Sequence, residues 1–142
     1  MSDDTLRTVS IERGGLGHYT ATNVRGGTLS IGEGDGADFT PVELFLAAIG
    51  GCTAVDVDYI TSRRAEPVTF TVTVAGDKLK DPVIGNHLAN LNVTFAVHFP
   101  EGPEGDTARE ALPRAVKQSH DRLCTVSRTV ETGAAIEVVI AE

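Results

Sequence analysis

Thr40-Pro41-Val42-Glu43-Leu44-Phe45-Leu46-Ala47-Ala48-Ile49-Gly50-Gly51-Cys52-Thr53-Ala54-Val55-Asp56-Val57 is the stretch on which the fold turns. Thr40 suits an N-cap, Pro41 the first helical position, and Glu43 the third, which completes a capping box. The pattern continues to Arg63-Arg64, whose cations suit the negative end of a helix. A helix over 41–64 is therefore predicted, roughly 36 Å long at the usual rise. A compact chain of this size has a radius of gyration of only ~14 Å, so such a helix crosses the whole domain. Gly50 and Gly51 fall in its middle, where each glycine costs about 1 kcal/mol against alanine. The expected compensation is close approach of another backbone, helix on helix, across a dimer axis.

Outward from this helix the pattern changes period. Val68, Phe70, Val72 and Val74 alternate with threonines, and Leu91, Val93, Phe95, Val97 and Phe99 alternate with mostly polar neighbours. Period two with β-branched residues predicts strands with one buried face each. Residues 76–87 read as a polar connection between them. Shorter strands are expected at 6–13 and 18–31, among the glycine-rich turns at 14–17 and 26–36. A last strand is expected at about 134–141, carrying Ile136, Val138 and Ile140. A second helix is expected over 106–122, capped by Asp106 or Thr107, with Pro113 as a kink or a restart. A short helix follows over 125–131, with Cys124 at its start and Gly133 just past its end. These elements form an α+β fold in a single domain, residues 1–142, without internal repeats.

Composition narrows the functions. Lys plus Arg number 12 and Asp plus Glu 20, a net charge of −8, which argues against a nucleic-acid partner. No apolar run approaches the ~20 residues of a spanning helix, so no membrane partner is expected. The start Met1-Ser2-Asp3-Asp4 is acidic and unlike a secretory signal, and a cytoplasmic location is expected. The glycine-rich stretches lack the strand–helix context of a phosphate-binding loop. The four histidines are scattered and the two cysteines lie far apart, so no metal site is expected. Arg63-Arg64 reads as a helix terminus, not a basic patch.

The two cysteines leave an open choice of core filler, structural disulfide or redox pair. Cys52 lies among Leu44, Phe45, Ala48, Ile49 and Val55, where a buried thiol behaves as a small hydrophobe. Cys124 stands at a helix start with Arg122 and Arg128 nearby, where the dipole lowers a thiol pKa. Asp56 is four residues beyond Cys52 and shares its helix face, and His120 is four residues before Cys124. Arg25, in Val24-Arg25-Gly26-Gly27, reads by itself as a solvated turn residue.

The 40–57 stretch resembles the first-cysteine helix of the OsmC/Ohr family, the osmotically induced and organic hydroperoxide resistance proteins. Cys124-Thr125-Val126-Ser127-Arg128-Thr129-Val130 resembles the family's second-cysteine motif. The resemblance runs from about residue 6 to 141. It implies an OsmC-like fold, a long central helix packed on antiparallel sheets in an intertwined homodimer. It further implies a cysteine-based thiol peroxidase without a cofactor, acting on organic hydroperoxides or hydrogen peroxide. By that resemblance Cys52 is the peroxidatic thiol, oxidised to a sulfenic acid, and Cys124 resolves it to a disulfide. A dithiol reductant, a lipoyl group in the better-known members, reopens the disulfide. Arg25 falls where the family places the arginine that holds the thiolate. Glu43, Asp56 and His120 are supporting candidates. Two departures point to the OsmC-like branch. Val42 stands where organic hydroperoxide members place a glutamate, and Thr53 where they often have phenylalanine. Glu43 lies ~180° around the helix from Cys52, so the capping box is its expected role. The departures keep a second reading open, a non-enzymatic dimer that binds a small apolar ligand or senses redox state.

Overall fold

The capping box at Thr40 forms as the sequence predicts. The Glu43 main-chain N–H donates to Thr40 Oγ1 at 3.2 Å, and the Thr40 N–H donates to Glu43 Oε1 at 2.8 Å. These bonds open helix α1, Pro41–Thr61, in the computed structural model, which describes residues 5–141. The helix stops three residues short of the predicted end. The Thr61 hydroxyl donates back to the Val57 carbonyl and the Arg64 N–H closes a turn onto Thr61. By length and composition α1 would also span a bilayer, contrary to the expectation that no stretch approaches that size. Ile49, Gly50, Thr53, Val57 and Thr61 are its buried residues.

The chain divides into two compact units, one ending at Phe45 and the other beginning at Leu46. The first holds an antiparallel sheet of β1 (Val9–Gly15), β2 (His18–Asn23) and β3 (Thr28–Ile31) in that order. The predicted strand over 18–31 is thus two strands. Asn23 causes the break, because its Oδ1 accepts the N–H groups of Arg25 and Gly27, each at 3.0 Å. Gly26 takes the positive φ of 87° that this turn needs.

In the second unit β4 (Thr69–Asp81) and β5 (Gly85–His98) form one long antiparallel hairpin. Phe70, Val72 and Val74 lie opposite Val97, Phe95 and Val93, and the Phe70 and Phe95 rings meet edge to face at 6.4 Å. The polar stretch 76–87 is not a loop. Ladder pairing continues past a register shift between Ala75 and Asp77, and the chain turns only at 82–84. Exposed polar side chains do not oppose a strand when its backbone groups are paired.

Helix α2 (Pro103–Gln118) starts earlier than predicted, on Gly102 rather than Asp106 or Thr107. Gly105 permits this start, since a Cβ there would sit 1.7 Å from the Pro100 carbonyl oxygen. Pro113 lies inside α2 without ending it. A π-helical turn, Ser119–Leu123, follows, and then α3, Thr125–Thr132, closed by Gly133 at φ 71°. The core of this unit uses small residues, with Ala108, Ala111 and Ala115 of α2 buried alongside Val57.

One expectation fails. No strand forms over 134–141 among the described residues, and Ile136, Val138 and Ile140 are exposed. Their alternation has no partner strand among the described residues. The contact expected at Gly50–Gly51 across a dimer axis involves a second chain, and within this chain the two glycines differ. A Cβ at Gly50 would lie 2.7 Å from Val74 Cγ2, so Gly50 makes room for β4, while a Cβ at Gly51 would meet nothing within 4 Å.

Candidate functional site

The π-helical turn places Cys124. It redirects the chain after α2, and the Cys124 N–H closes it by donating to the Ser119 carbonyl at 2.8 Å. Cys124 then leaves helical geometry, with ψ 102°, and becomes the N-cap of α3. Its Sγ accepts from the Ser127 N–H at 3.4 Å and donates to Ser127 Oγ at 3.2 Å. The residue is completely buried.

Cys52, half-buried on α1, lies close enough to the Cys124 thiol for each to influence the other's charge, and both are free thiols. The first turn of α3 also faces Cys52, with the main-chain groups of Val126 and Thr125 directed at its sulfur. Opposed influences act there. Burial, the largest, pushes the Cys52 pKa up from its ordinary 9.0, the Val126 N–H pulls it down, the Cys124 thiol raises it, and the Thr125 N–H lowers it. The balance is upward, so the resting site holds a neutral Cys52 thiol. An anionic sulfur at Cys52 would meet two helix-terminal donors.

A hydroxyl chain runs beside the thiols. Ser119 Oγ donates to Asp56 Oδ2 at 2.8 Å and lies 2.7 Å from Thr53 Oγ1. Ser119 has one hydroxyl proton, and a carboxylate can only accept it, so Thr53 donates to Ser119. Thr53 and Ser119 are both buried. The chain ties α1 to the turn that carries Cys124.

Next to it lies a cleft of about 500 Å³. Ile49, Val93, Phe95, Val116 and Val130 give it an apolar lining, and Ser127, the partner of Cys124, lies on its wall. His120 and Glu131 form part of its polar edge. The volume lies within the ~300–1,000 Å³ of typical small-molecule sites.

Cys52 and Cys124 are therefore brought together. Asp56 joins them indirectly, through Ser119. His120 reaches Glu131 at 3.2 Å and Asp121 at 3.4 Å. Glu43 is occupied in the capping box, some 13 Å along α1 from Cys52 at the helical rise. Arg25 lies in the first unit, exposed at the β2–β3 turn, with its main-chain N–H on Asn23. Among the described residues no group of three or more His, Cys, Asp or Glu could hold a metal ion. Sequence reasoning missed Ser119 and Ser127. Ser127 carried a signal, since a side chain three residues after an N-cap returns to it. Ser119 carried none, because only the π-helical turn brings it under Asp56.

A family described as "OsmC-like protein" matches residues 33–139. No curated protein matches the sequence. Solved structures share the fold. An OsmC-like protein of unknown function from Vibrio cholerae superposes with a TM-score of 0.73 at 14% identity, over 89% of this chain and 94% of that one. A hypothetical protein from Aquifex aeolicus gives 0.71 at 21% identity, over 90% and 89%. The organic hydroperoxide resistance protein OhrB of Bacillus subtilis gives 0.57 at 18% identity, over 90% and 92%.

Proposed function

Because this chain belongs to the OsmC-like family, we propose that it is a homodimeric thiol peroxidase whose working residues are Cys52 and Cys124. The carrying observation is the proximity of the two thiols at the first turn of α3. The Cys52 thiolate attacks the terminal oxygen of a hydroperoxide. The O–O bond breaks, the sulfur is oxidised to a sulfenic acid, and the alkoxide leaves as an alcohol after taking a proton from water. Cys124, as thiolate, then attacks the sulfenic sulfur. An S–S bond forms and hydroxide leaves, taking up the proton that Cys124 gave. A dithiol reductant, such as a lipoyl group, restores both thiols by exchange. The apolar cleft beside Ser127 suits the organic part of the peroxide.

Arg25 supplies the missing cation in this reading. The upward pKa of Cys52 means that the α3 amides do not suffice on their own, and a guanidinium would favour the thiolate. Free resting thiols suit a reducing compartment, the cytoplasm. The test is consumption of cumene hydroperoxide and of hydrogen peroxide by the purified protein with dihydrolipoamide. Turnover with wild type and none with Cys52→Ser supports the reading; no consumption of either peroxide rejects it.

The same raised thiol favours a second reading, a dimer that binds an apolar ligand in the 500 Å³ cleft without turnover. It predicts ligand binding that Cys52→Ser leaves unchanged.

A further inference from the structure

We infer that the cleft between the last turns of α1 and α2 is a binding site for an organic polyanion, a molecule carrying two or more phosphate or carboxylate groups. The cleft holds about 590 Å³ and is walled by Arg63, Arg64, Arg114, Lys117 and Arg122. Five of the chain's 12 lysines and arginines thus meet at one place in a protein of net charge −8. Arg63-Arg64 is more than a helix terminus, because α2 and the π-helical turn bring three further cations to it.

Ordinary structural roles do not use up this charge. Asp121 is the one acidic residue in the lining, and it pairs with Lys117, which holds its carboxyl below the usual range. Arg64 donates to the Ile60 carbonyl at 3.1 Å, a helix-end contact. Arg63, Arg64, Arg114 and Arg122 make no ion pair among the described residues. Asp58 and Glu66 approach Arg63 from a neighbouring hollow, where Asp58 accepts the Ser62 hydroxyl. The two helix ends supply about half a negative charge each. Counting Asp121, the helix ends and the Asp58 and Glu66 carboxylates beside Arg63, the cleft still keeps a positive balance of about one charge.

The residue types define the ligand. Arginine presents a planar fork that fits the paired oxygens of phosphate and carboxylate. Four of the five cations are arginines. Ile60 and Leu123 add apolar surface to the lining, which suits a carbon body attached to the anionic groups. Neither cysteine lines this cleft, although Lys117 and Asp121 also border the cleft beside Ser127, and the assignment does not rest on peroxidase activity.

Calorimetric titration of the full-length protein at low salt, with inorganic tripolyphosphate and with citrate as probes, tests the assignment. The expected result is saturable binding of one probe per chain, weakening steeply as salt is added. The probe that binds more tightly assigns the acidic group as phosphate or carboxylate. The Arg63→Glu/Arg114→Glu double variant should lose at least about tenfold in affinity, since charge reversal replaces attraction by repulsion. Arg122→Gln is a milder second variant and should weaken binding several-fold. Lys80→Gln, which removes one charge as Arg122→Gln does but on the exposed hairpin, should leave it unchanged, as should Cys52→Ser. Absence of binding by both probes at about 5 mM, beyond the range of weak specific affinity, overturns the assignment. Equal losses in Lys80→Gln and Arg122→Gln would also overturn it, because the effect would then be net charge alone.

Discussion

Cys52 is held between burial, which keeps it neutral, and the α3 amides, which favour its anion. Its reactivity therefore depends on small changes of charge around it. If Arg25 supports the thiolate, Arg25→Gln should slow alkylation of Cys52 at pH 7 by about tenfold, the effect of one pKa unit on thiolate fraction. Iodoacetamide labelling followed by peptide mapping measures this, and an unchanged rate removes Arg25 from the site. The hydroxyl chain makes an ordered prediction. Thr53→Val deletes one hydrogen bond, while Ser119→Ala strands the buried Thr53 hydroxyl and removes the Asp56 contact. Losses of about 0.5–1.5 and 1–3 kcal/mol are expected in urea unfolding, and the double variant should lose less than the sum. The cysteines themselves were legible from their motifs. Thr53 was visible only as a departure from family pattern, and the structure shows what it does: it gives the buried serine a donor that phenylalanine could not.

At the scale of elements, local chemistry read well and partner choice did not. The Thr40 capping box, the α3 start at Cys124 and its stop at Gly133 depend on a few neighbouring residues, and all three form. The 76–87 segment misled because its side chains are polar while its backbone is paired across the hairpin. Asp81 explains where that hairpin turns. Its Oδ1 accepts the Val83 N–H at 2.7 Å and the Ile84 N–H at 3.0 Å. The Ile84 and Val83 donors hold its carboxyl below the ordinary 3.8. A depressed carboxyl stabilises the turn fully above pH 3.8, and that contribution fades as pH falls through the lower folded value. An NMR titration of the Asp81 carboxyl should show a midpoint below 3.8, and Asp81→Ala should loosen the turn by faster amide exchange at Val83 and Ile84.

At the scale of the whole molecule, several apolar surfaces lack a cover. Val55 and Tyr59 of α1 are 56% and 72% exposed, and Ile136 and Ile140 are 89% and 91% exposed. If the proposed dimer forms, a second chain could pair the period-two apolar pattern at 134–141, which has no strand partner among the described residues. Gly51 distinguishes the cases. If its face is open, as in the single chain, Gly51→Ala should stabilise by about 0.5–1 kcal/mol through helix propensity. If a second copy's backbone approaches there, the same substitution should weaken the dimer in sedimentation at micromolar concentration. Gly50→Ala should destabilise in either case, by about 1–3 kcal/mol, because the added methyl meets Val74.

The central claim is that Cys52 and Cys124 act as one redox pair within a chain. One equivalent of cumene hydroperoxide, followed by thiol counting and non-reducing peptide mapping, tests it most directly. Loss of both thiols together and a Cys52–Cys124 disulfide within one chain are expected, while Cys124→Ser leaves a dimedone-reactive sulfenic acid at Cys52. Two thiols still titratable after the peroxide has been added in excess would contradict it.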